Sequence, residues 1–140
     1  MKPEKTNELR RIAEENGGLL LPEVVVEKAK EKSNPLHDEF DWNDTTAAHK
    51  WRIEQCRALI RRITVILPQT KPKEVRMYVS LDRDRDTGGY RLIEDVISDP
   101  ERLKELLRTA KNELRAFERK YSELTELSEV FSAAKKITNP

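Results

Sequence analysis

The sequence predicts an α+β fold: an N-terminal helical hairpin and a central helix, a small antiparallel sheet of two or three strands, and a long C-terminal helix or helical hairpin. Apolar residues recur every three to four positions over residues 5–16, 22–32 and 45–61, which is the period of helices that face a core. The period changes to two over residues 75–81, as in a half-buried strand. A helical period then returns over residues 99–137.

The length of 140 residues fits a single domain. Within it, residues 1–62 form the predicted helical part, residues 63–92 the β-hairpin or sheet, and residues 99–137 the C-terminal helical segment.

The first two predicted helices are separated by a pair of glycines. Gly17 and Gly18 stop the first helix, and Pro22 suits the first turn of the second, which is expected to run to about Lys32. The buried faces are predicted to consist of Leu9, Ile12, Ala13, Val25, Val26 and Ala29.

Residues 33–44 are predicted to form an ordered loop, because Leu36, Phe40 and Trp42 are too apolar for a mobile linker. Asp44 is a suitable N-cap for the third helix, which is expected to end near Arg61. The inner stripe of that helix is predicted to be Ile53, Cys56, Ile60 and Ile63.

Two short strands are predicted after the third helix. Residues 63–67 are β-branched and end at Pro68, and residues 69–73 form a turn that leads into the alternating strand 75–81. Residues 83–89 form the tip before a third short strand, Tyr90–Leu92, and residues 93–97 form one helical turn.

The C-terminal segment begins with Asp99 as a cap and Pro100 in the first turn. Its apolar stripe steps by three and four, as in a heptad seam. The stripe consists of Leu107, Ala110, Leu114, Phe117, Tyr121 and Leu124.

Two successive steps of three, from Tyr121 to Leu124 to Leu127, rotate this stripe and indicate a stammer or a break near Ser122. A straight helix of about 35 residues would span roughly 50 Å, which exceeds the diameter of a domain of this size. The segment is therefore predicted either to fold back or to pack on another chain. In both cases we expect a homo-oligomer that forms through the C-terminal helices.

Composition excludes several classes of protein. Lys and Arg number 27 against 26 Asp and Glu, so a strongly basic nucleic-acid binder is not indicated. A single cysteine excludes an intramolecular disulfide framework, and no apolar run is long enough to span a membrane. The first residues lack the apolar stretch of a secretory signal, so we expect a cytoplasmic protein. The sequence contains no catalytic motif. We therefore expect that the protein is not an enzyme and that it needs no cofactor.

Charge is distributed unevenly. Residues 36–48 carry four acids and no Lys or Arg, whereas residues 50–76 carry eight Lys and Arg against two Glu, a net charge of +6. Arg57 and Arg61 are cations one helical turn apart, and a phosphate would relieve their repulsion. The predicted ligand-binding residues are Lys50, Trp51, Arg52, Arg57, Arg61 and Tyr78, with the two aromatic residues as stacking faces. The alternative is that the acidic loop neutralises this helix.

Three further patterns are weaker. Ala13 and Gly17 have the spacing of a helix-turn-helix, but the charges of residues 5–32 cancel, which favours a plain helical hairpin. Residues 82–88 resemble part of a calcium loop with its glycine one place late, which favours a polar hairpin tip. His49 and Cys56 are about 10 Å apart along a helix, so no metal site is predicted from them, and Cys56 is predicted to be a core residue.

Several segments together resemble a family of small proteins from bacteriophage and prophage genomes. The resemblance covers residues 8–136, and its most specific part is the passage from Pro35 to Arg61, which contains NPLHDEFDWND and AAHKWRIEQCRALIRR. It implies a phage accessory protein in the bacterial cytosol, and it implies no site residues.

Three functions follow as hypotheses. The first is an oligomeric, non-enzymatic phage accessory protein that binds or sequesters a small phosphate-bearing ligand, such as a nucleotide signal of host defence. The second is a DNA-binding or recombination accessory protein that reads DNA with residues 5–32. The third is an inhibitor that binds a host protein through its helical tail.

Overall fold

The structure, a computed structural model, describes residues 1–42, 45–68 and 74–139. The chain divides into two compact units, Met1–Ser98 and Asp99–Pro140. The second unit begins at Asp99, the residue at which the C-terminal helical segment was predicted to begin.

The predicted α+β class is confirmed. The helices are α1 (Pro3–Glu15), α2 (Pro22–Ala29), α3 (Thr46–Arg62), α4 (Ile93–Ser98), α5 (Pro100–Tyr121) and α6 (Ser128–Thr138). The strands are β1 (Leu19–Leu20), β2 (Thr64–Ile66), β3 (Glu74–Arg76), β4 (Tyr78–Val79) and β5 (Tyr90–Leu92). Short 3-10 turns lie at His37–Glu39, Asp82–Asp84 and Thr125–Leu127.

The strands of the N-terminal unit form two antiparallel sheets. One has the order β1-β5-β4, with Leu20 opposite Tyr90 and Tyr78 opposite Leu92. The other pairs β2 with β3 and places Val65 opposite Val75. The segment Leu19–Leu20, predicted to be a connection, is therefore an edge strand, and it pairs with β5, which comes after the other strands in the sequence.

The predicted continuous strand over residues 75–81 is wrong, because the chain changes sheets at Met77. The backbone N–H of Met77 donates to the carbonyl of Ile63 at 2.9 Å, and the carbonyl of Met77 accepts from Ile93 at 2.8 Å. Both Met77 and Tyr78 are consequently buried. Strict alternation holds only within one continuous strand, and the change of sheet ends it.

Apolar faces of α1, α2 and α3 and the loop before α3 enclose the core of this unit. Leu36 is fully buried and Phe40 nearly so, which confirms that the loop is fixed to the core. The predicted inner stripe of α3 and the predicted faces of α1 and α2 are buried as well. They comprise Leu9, Ile12, Ala13, Val25, Val26, Ala29, Ile53, Cys56, Ile60 and Ile63.

Most helix ends follow the predicted signals, but α2 ends at Ala29 and not near Lys32 as predicted. Gly17 and Gly18 have positive φ angles of 68° and 86° where α1 ends, a conformation that costs glycine little. Thr45 caps α3 and accepts from the backbone N–H of Ala48 at 3.1 Å. The residue predicted for this role, Asp44, lies outside the described residues, as does the predicted turn 69–73.

The C-terminal unit is a helical hairpin. Asp99 caps α5 and accepts from the backbone of Glu101 and Arg102. After Tyr121 the chain turns and α6 packs on α5, so the predicted break near Ser122 is present and the segment folds back.

Three contacts hold the two helices of this hairpin together. Lys135 pairs with Glu118 at 3.2 Å, Arg115 donates to the carbonyl of Thr138, and Phe117 meets Phe131 edge to face. Within the described residues, no helix is long and apolar enough to cross a membrane.

Candidate functional site

Three of the predicted ligand-binding residues share one side of α3. Lys50, Arg57 and Arg61 are spaced by seven and four, which places them on the same face of a helix. Lys50 and Arg61 are exposed and Arg57 is half-buried. The face is a cationic strip along the outside of the N-terminal unit.

The strip is partly neutralised within the helix itself. Arg57 forms an ion pair with Glu54, which lies on the same face one turn earlier. Its guanidinium also borders the turn at Gly88, where an added Cβ would lie 3.6 Å from one of its nitrogens. Arg57 is thus positioned by protein groups, whereas neither Lys50 nor Arg61 forms an ion pair with any described residue.

Arg52 lies on the opposite side of α3 and is buried. Its guanidinium donates to the main-chain carbonyl of Asp41 at 2.8 Å and lies 5.2 Å from the centre of the Trp42 ring. Trp42 in turn donates to the carbonyl of His37 at 2.9 Å and stacks on its ring. These contacts fix the acidic loop on α3, so Arg52 holds the fold together at this point rather than facing solvent.

The two predicted stacking faces are not placed together. Trp51 is 61% exposed on α3, whereas Tyr78 is 2% exposed on β4. The six predicted residues therefore lie in four places: the strip on α3, the exposed position of Trp51 beside it, the buried contact of Arg52 with the loop, and the core beside β5. Of the predicted alternatives, Lys50 rather than Arg52 lies on the same face as Arg57 and Arg61, and Trp51 rather than Tyr78 is exposed, because the change of sheet at Met77 turns Tyr78 inward.

Several cations of the first two helices are paired with acids. Arg11 bonds both Glu8 and Glu15, and Lys28 reaches Glu15 at 2.9 Å. The hydrogen bond from Arg11 lowers the pKa of Glu8. Cations that are already neutralised in this way are poorly suited to a DNA phosphate backbone, which requires an excess of positive charge.

One aspartate of the hairpin tip, Asp84, has a structural role. Asp84 is buried and accepts two hydrogen bonds from the guanidinium of Arg91, at 2.7 and 2.8 Å. Such a fork of two parallel bonds ties the tip to β5. No group of three acidic, histidine or cysteine side chains in the described part of the chain is arranged to hold a metal ion.

The single thiol is poorly suited to nucleophilic chemistry. Cys56 is fully buried on the inner stripe of α3, and this burial raises the pKa of its thiol to about 12. The thiolate is the reactive form, and it is scarce at neutral pH when the pKa is this high.

A pocket that the sequence reasoning missed lies against Tyr78. Its lining includes Arg10 and Glu14 of α1 and Glu94 and Asp95 of α4. The sequence contains no signal for it, because the residues come together only through the pairing of β1 and β4 with β5, and β1 was not predicted.

No family model, curated protein or solved structure matches the chain. The resemblance to phage proteins therefore stays a prediction, and the function has to be argued from the geometry of the chain itself.

Proposed function

We propose that this protein is a non-enzymatic, self-associating binding protein whose C-terminal hairpin joins one copy to another. The observation that carries the proposal is an exposed apolar face on the hairpin. Leu103, Leu107, Phe117 and Leu124 are each between 42% and 51% exposed along one side of α5 and its C-terminal end. On α6, Val130 and Ile137 are 54% and 55% exposed.

This apolar face coincides with the heptad seam that the sequence predicts. The hydrogen bond, ion pair and ring contact between α6 and α5 involve Arg115, Phe117 and Glu118, whereas Leu103 and Leu107 lie further toward the start of α5. A surface helix normally turns its apolar stripe toward a core, and a contiguous exposed stripe is typical of a protein interface.

The hairpin of a second copy of the chain could cover this exposed apolar face. Two helical hairpins that pack face to face form a four-helix bundle, and residues with heptad spacing are the ones that interlock in such bundles. A second copy supplies an identical stripe, so the two stripes can be buried against each other around a two-fold axis.

Light scattering of the purified chain from low to high micromolar concentration tests this proposal. We expect at least a dimer in the wild type. Replacing Leu103 and Leu107, which are exposed on the stripe, with Glu would place charges in the apolar interface, at a cost of several kcal/mol, and is expected to give a monomer with an unchanged helix signal.

The matched control is Ala116→Glu, which adds a charge at an exposed position of the same helix, beside Phe117 and off the stripe. It is expected to leave the oligomer intact. A wild type that is monomeric throughout would contradict the proposal. If that monomer instead binds a host protein through Phe117 and Leu124, the hypothesis of a host inhibitor would replace it.

A second candidate function is the binding of a phosphate-bearing ligand on the strip of α3. Lys50 and Arg61 are exposed cations without an ion pair among the described residues, and Arg57 lies one turn from Arg61. Two guanidinium groups one turn apart are suited to the oxygens of one phosphate. In this proposal the setting is the bacterial cytosol and the origin a phage, as the sequence resemblance implies.

Calorimetry with pyrophosphate, mono-, di- and cyclic nucleotides and a short DNA duplex tests the anion proposal. Replacing Arg57 and Arg61 with Ala is expected to abolish binding at an unchanged Tm, whereas Lys30→Ala, which removes an exposed cation paired with Glu27, is expected to leave binding intact. Binding of the duplex alone, with a steep salt dependence, would favour DNA binding instead. Absence of all binding would contradict the proposal.

A further inference from the structure

The pocket beside Tyr78 is open to solvent on one side, and its lining residues belong to the N-terminal unit. Its volume is about 260 Å³, which is below the size of drug-like sites and suits a small ligand. The lining consists of Arg10, Ala13, Glu14, Gly18, Tyr78, Leu92, Glu94 and Asp95.

The hydroxyl of Tyr78 is the first sign that something binds here. The residue is 2% exposed, and within the described part of the chain its hydroxyl has no hydrogen-bond partner. A buried tyrosine hydroxyl normally has one, because leaving it unsatisfied costs about 1–3 kcal/mol. A bound ligand would supply the missing bond.

The charged groups that act on the pKa of the Tyr78 hydroxyl are residues that line the pocket. Burial raises the pKa of Tyr78 to about 12, Arg10 acts in the opposite direction, and Glu14 and Asp95 raise it further. The charged groups that influence the phenol are thus the groups that line the cavity.

The pocket has an excess of negative charge. Glu14, Glu94 and Asp95 face one cation, Arg10, and none of these four side chains forms an ion pair with a described residue. Three carboxylates and one guanidinium leave a net charge of −2, which attracts a cation. The described residues provide no cluster arranged for a metal ion, so an organic cation fits better.

We propose that this pocket binds a small organic cation that carries at least one ammonium group. The ammonium donates to the hydroxyl oxygen of Tyr78 and to the carboxylates of Glu14 and Asp95, and Leu92 and Ala13 contact its carbon chain. Arg10 then favours ligands that also carry an acceptor, such as the carboxylate of a basic amino acid. The pocket lining shares no residue with the hairpin face or with the strip on α3, so the proposal is independent of both.

Calorimetry at pH 7.5 and low salt, with 1,4-diaminobutane and lysine as probes, tests the site. Butane-1,4-diol, which has the same carbon chain without charge, is the control ligand. We expect both amines to bind and the diol to give no heat. Replacing Glu14 with Gln and Asp95 with Asn is expected to weaken binding at least tenfold, and because both residues are exposed the variant should fold normally.

Tyr78→Phe separates a ligand-binding hydroxyl from a structural one. We expect it to weaken amine binding two- to tenfold while the Tm of the free protein stays the same or rises, because an unsatisfied hydroxyl is removed. Tyr90→Phe, on the neighbouring strand and outside the pocket lining, is expected to change neither.

Three outcomes would overturn the proposal. They are the absence of amine binding at millimolar concentration, equal binding of the diol, and a Tyr78→Phe protein that unfolds several degrees earlier than the wild type without any ligand. The last would mean that the hydroxyl already has a structural partner.

Discussion

In the N-terminal unit Leu36 and Val25 are fully buried, whereas in the C-terminal unit Leu107 and Phe117 are 51% and 45% exposed. Both units are rich in apolar residues at regular spacing. In the first, three helices, two small sheets and a loop close around one core. In the second, the buried apolar side chains that the structure describes are Phe131 and Ala134.

The difference follows from the number of layers that each unit contains. An apolar helix face has to be covered by another layer, and several elements surround each face in the N-terminal unit. In the hairpin, α6 has only 11 residues against the 22 of α5, so it cannot cover the whole stripe. The N-terminal unit thus buries its apolar faces among its own elements, whereas part of the stripe on the hairpin is exposed, and this exposed part is the basis of the proposed self-association.

The largest expected effect is on the free energy of unfolding, when a leucine is replaced by alanine in the N-terminal unit and the same change is made in the hairpin for comparison. Leu36→Ala removes a fully buried side chain and is expected to lower the free energy of unfolding by about 2–5 kcal/mol. Leu107→Ala, at an exposed position of α5, is expected to change it by less than about 0.5 kcal/mol in dilute protein. Urea unfolding of both variants measures the two values.

Protein concentration sharpens this test. If the hairpins associate, Leu107→Ala becomes destabilising at high micromolar concentration, because Leu107 is then buried in the interface. The loss of stability in Leu36→Ala comes from the core of the N-terminal unit, so burial in an interface does not contribute to it. A large loss for Leu107→Ala at every concentration would show that the hairpin face is covered within a single chain.

The sequence predicted the helices well because their signals are local. Gly17, Pro22 and Pro100 mark helix ends through their own backbone geometry, and the spacing of the apolar residues marks the faces between them. The rotation of the stripe at Leu124 indicated a stammer or a break there, and the hairpin turns at this point. Each of these signals lies within a few residues of the feature that it predicts.

The sheet and the candidate site depended on contacts between distant residues. Leu19 and Leu20 become a strand only because β5, some seventy residues later, lies beside them. In a half-buried strand, the neighbours Met77 and Tyr78 would face opposite sides and one of them would be exposed. Both are buried, because the chain passes from one sheet to the other at this point. The pocket follows from these two events, so neither composition nor spacing could predict it.

Arg52 shows the same limitation for charge. Its position in a basic stretch predicted a ligand-binding role, yet it lies on the inner side of α3 and bonds the loop carbonyl of Asp41. Helical spacing alone separates it from Lys50, Arg57 and Arg61. A count of charges over a stretch of sequence therefore overestimates the number of cations that are exposed on one face. Assigning each cation to a face of the helix gives the smaller set.

The smallest expected effect concerns the pH dependence of the buried thiol in the complete unit. Cys56 has a pKa of about 12 in the folded protein against a usual value near 9.0, so above pH 9 the unfolded chain loses a proton that the folded chain keeps. The free energy of unfolding must then fall as the pH rises from 9 toward 12. At pH 10 the loss from this group is on the order of 1 kcal/mol.

Cys56→Ala isolates this contribution, because all other titrating groups are shared with the wild type. We expect the variant to be about 1–2 kcal/mol less stable at pH 7.5, from the small cavity, and nearly as stable as the wild type at pH 10. Ile53→Val, on the same stripe and without a titrating group, should keep a constant deficit at both pH values. Urea unfolding at the two pH values measures these differences. A deficit of Cys56→Ala that does not shrink would mean that the thiol is solvated in solution, and that this stripe of α3 is less completely closed than the hairpin comparison requires.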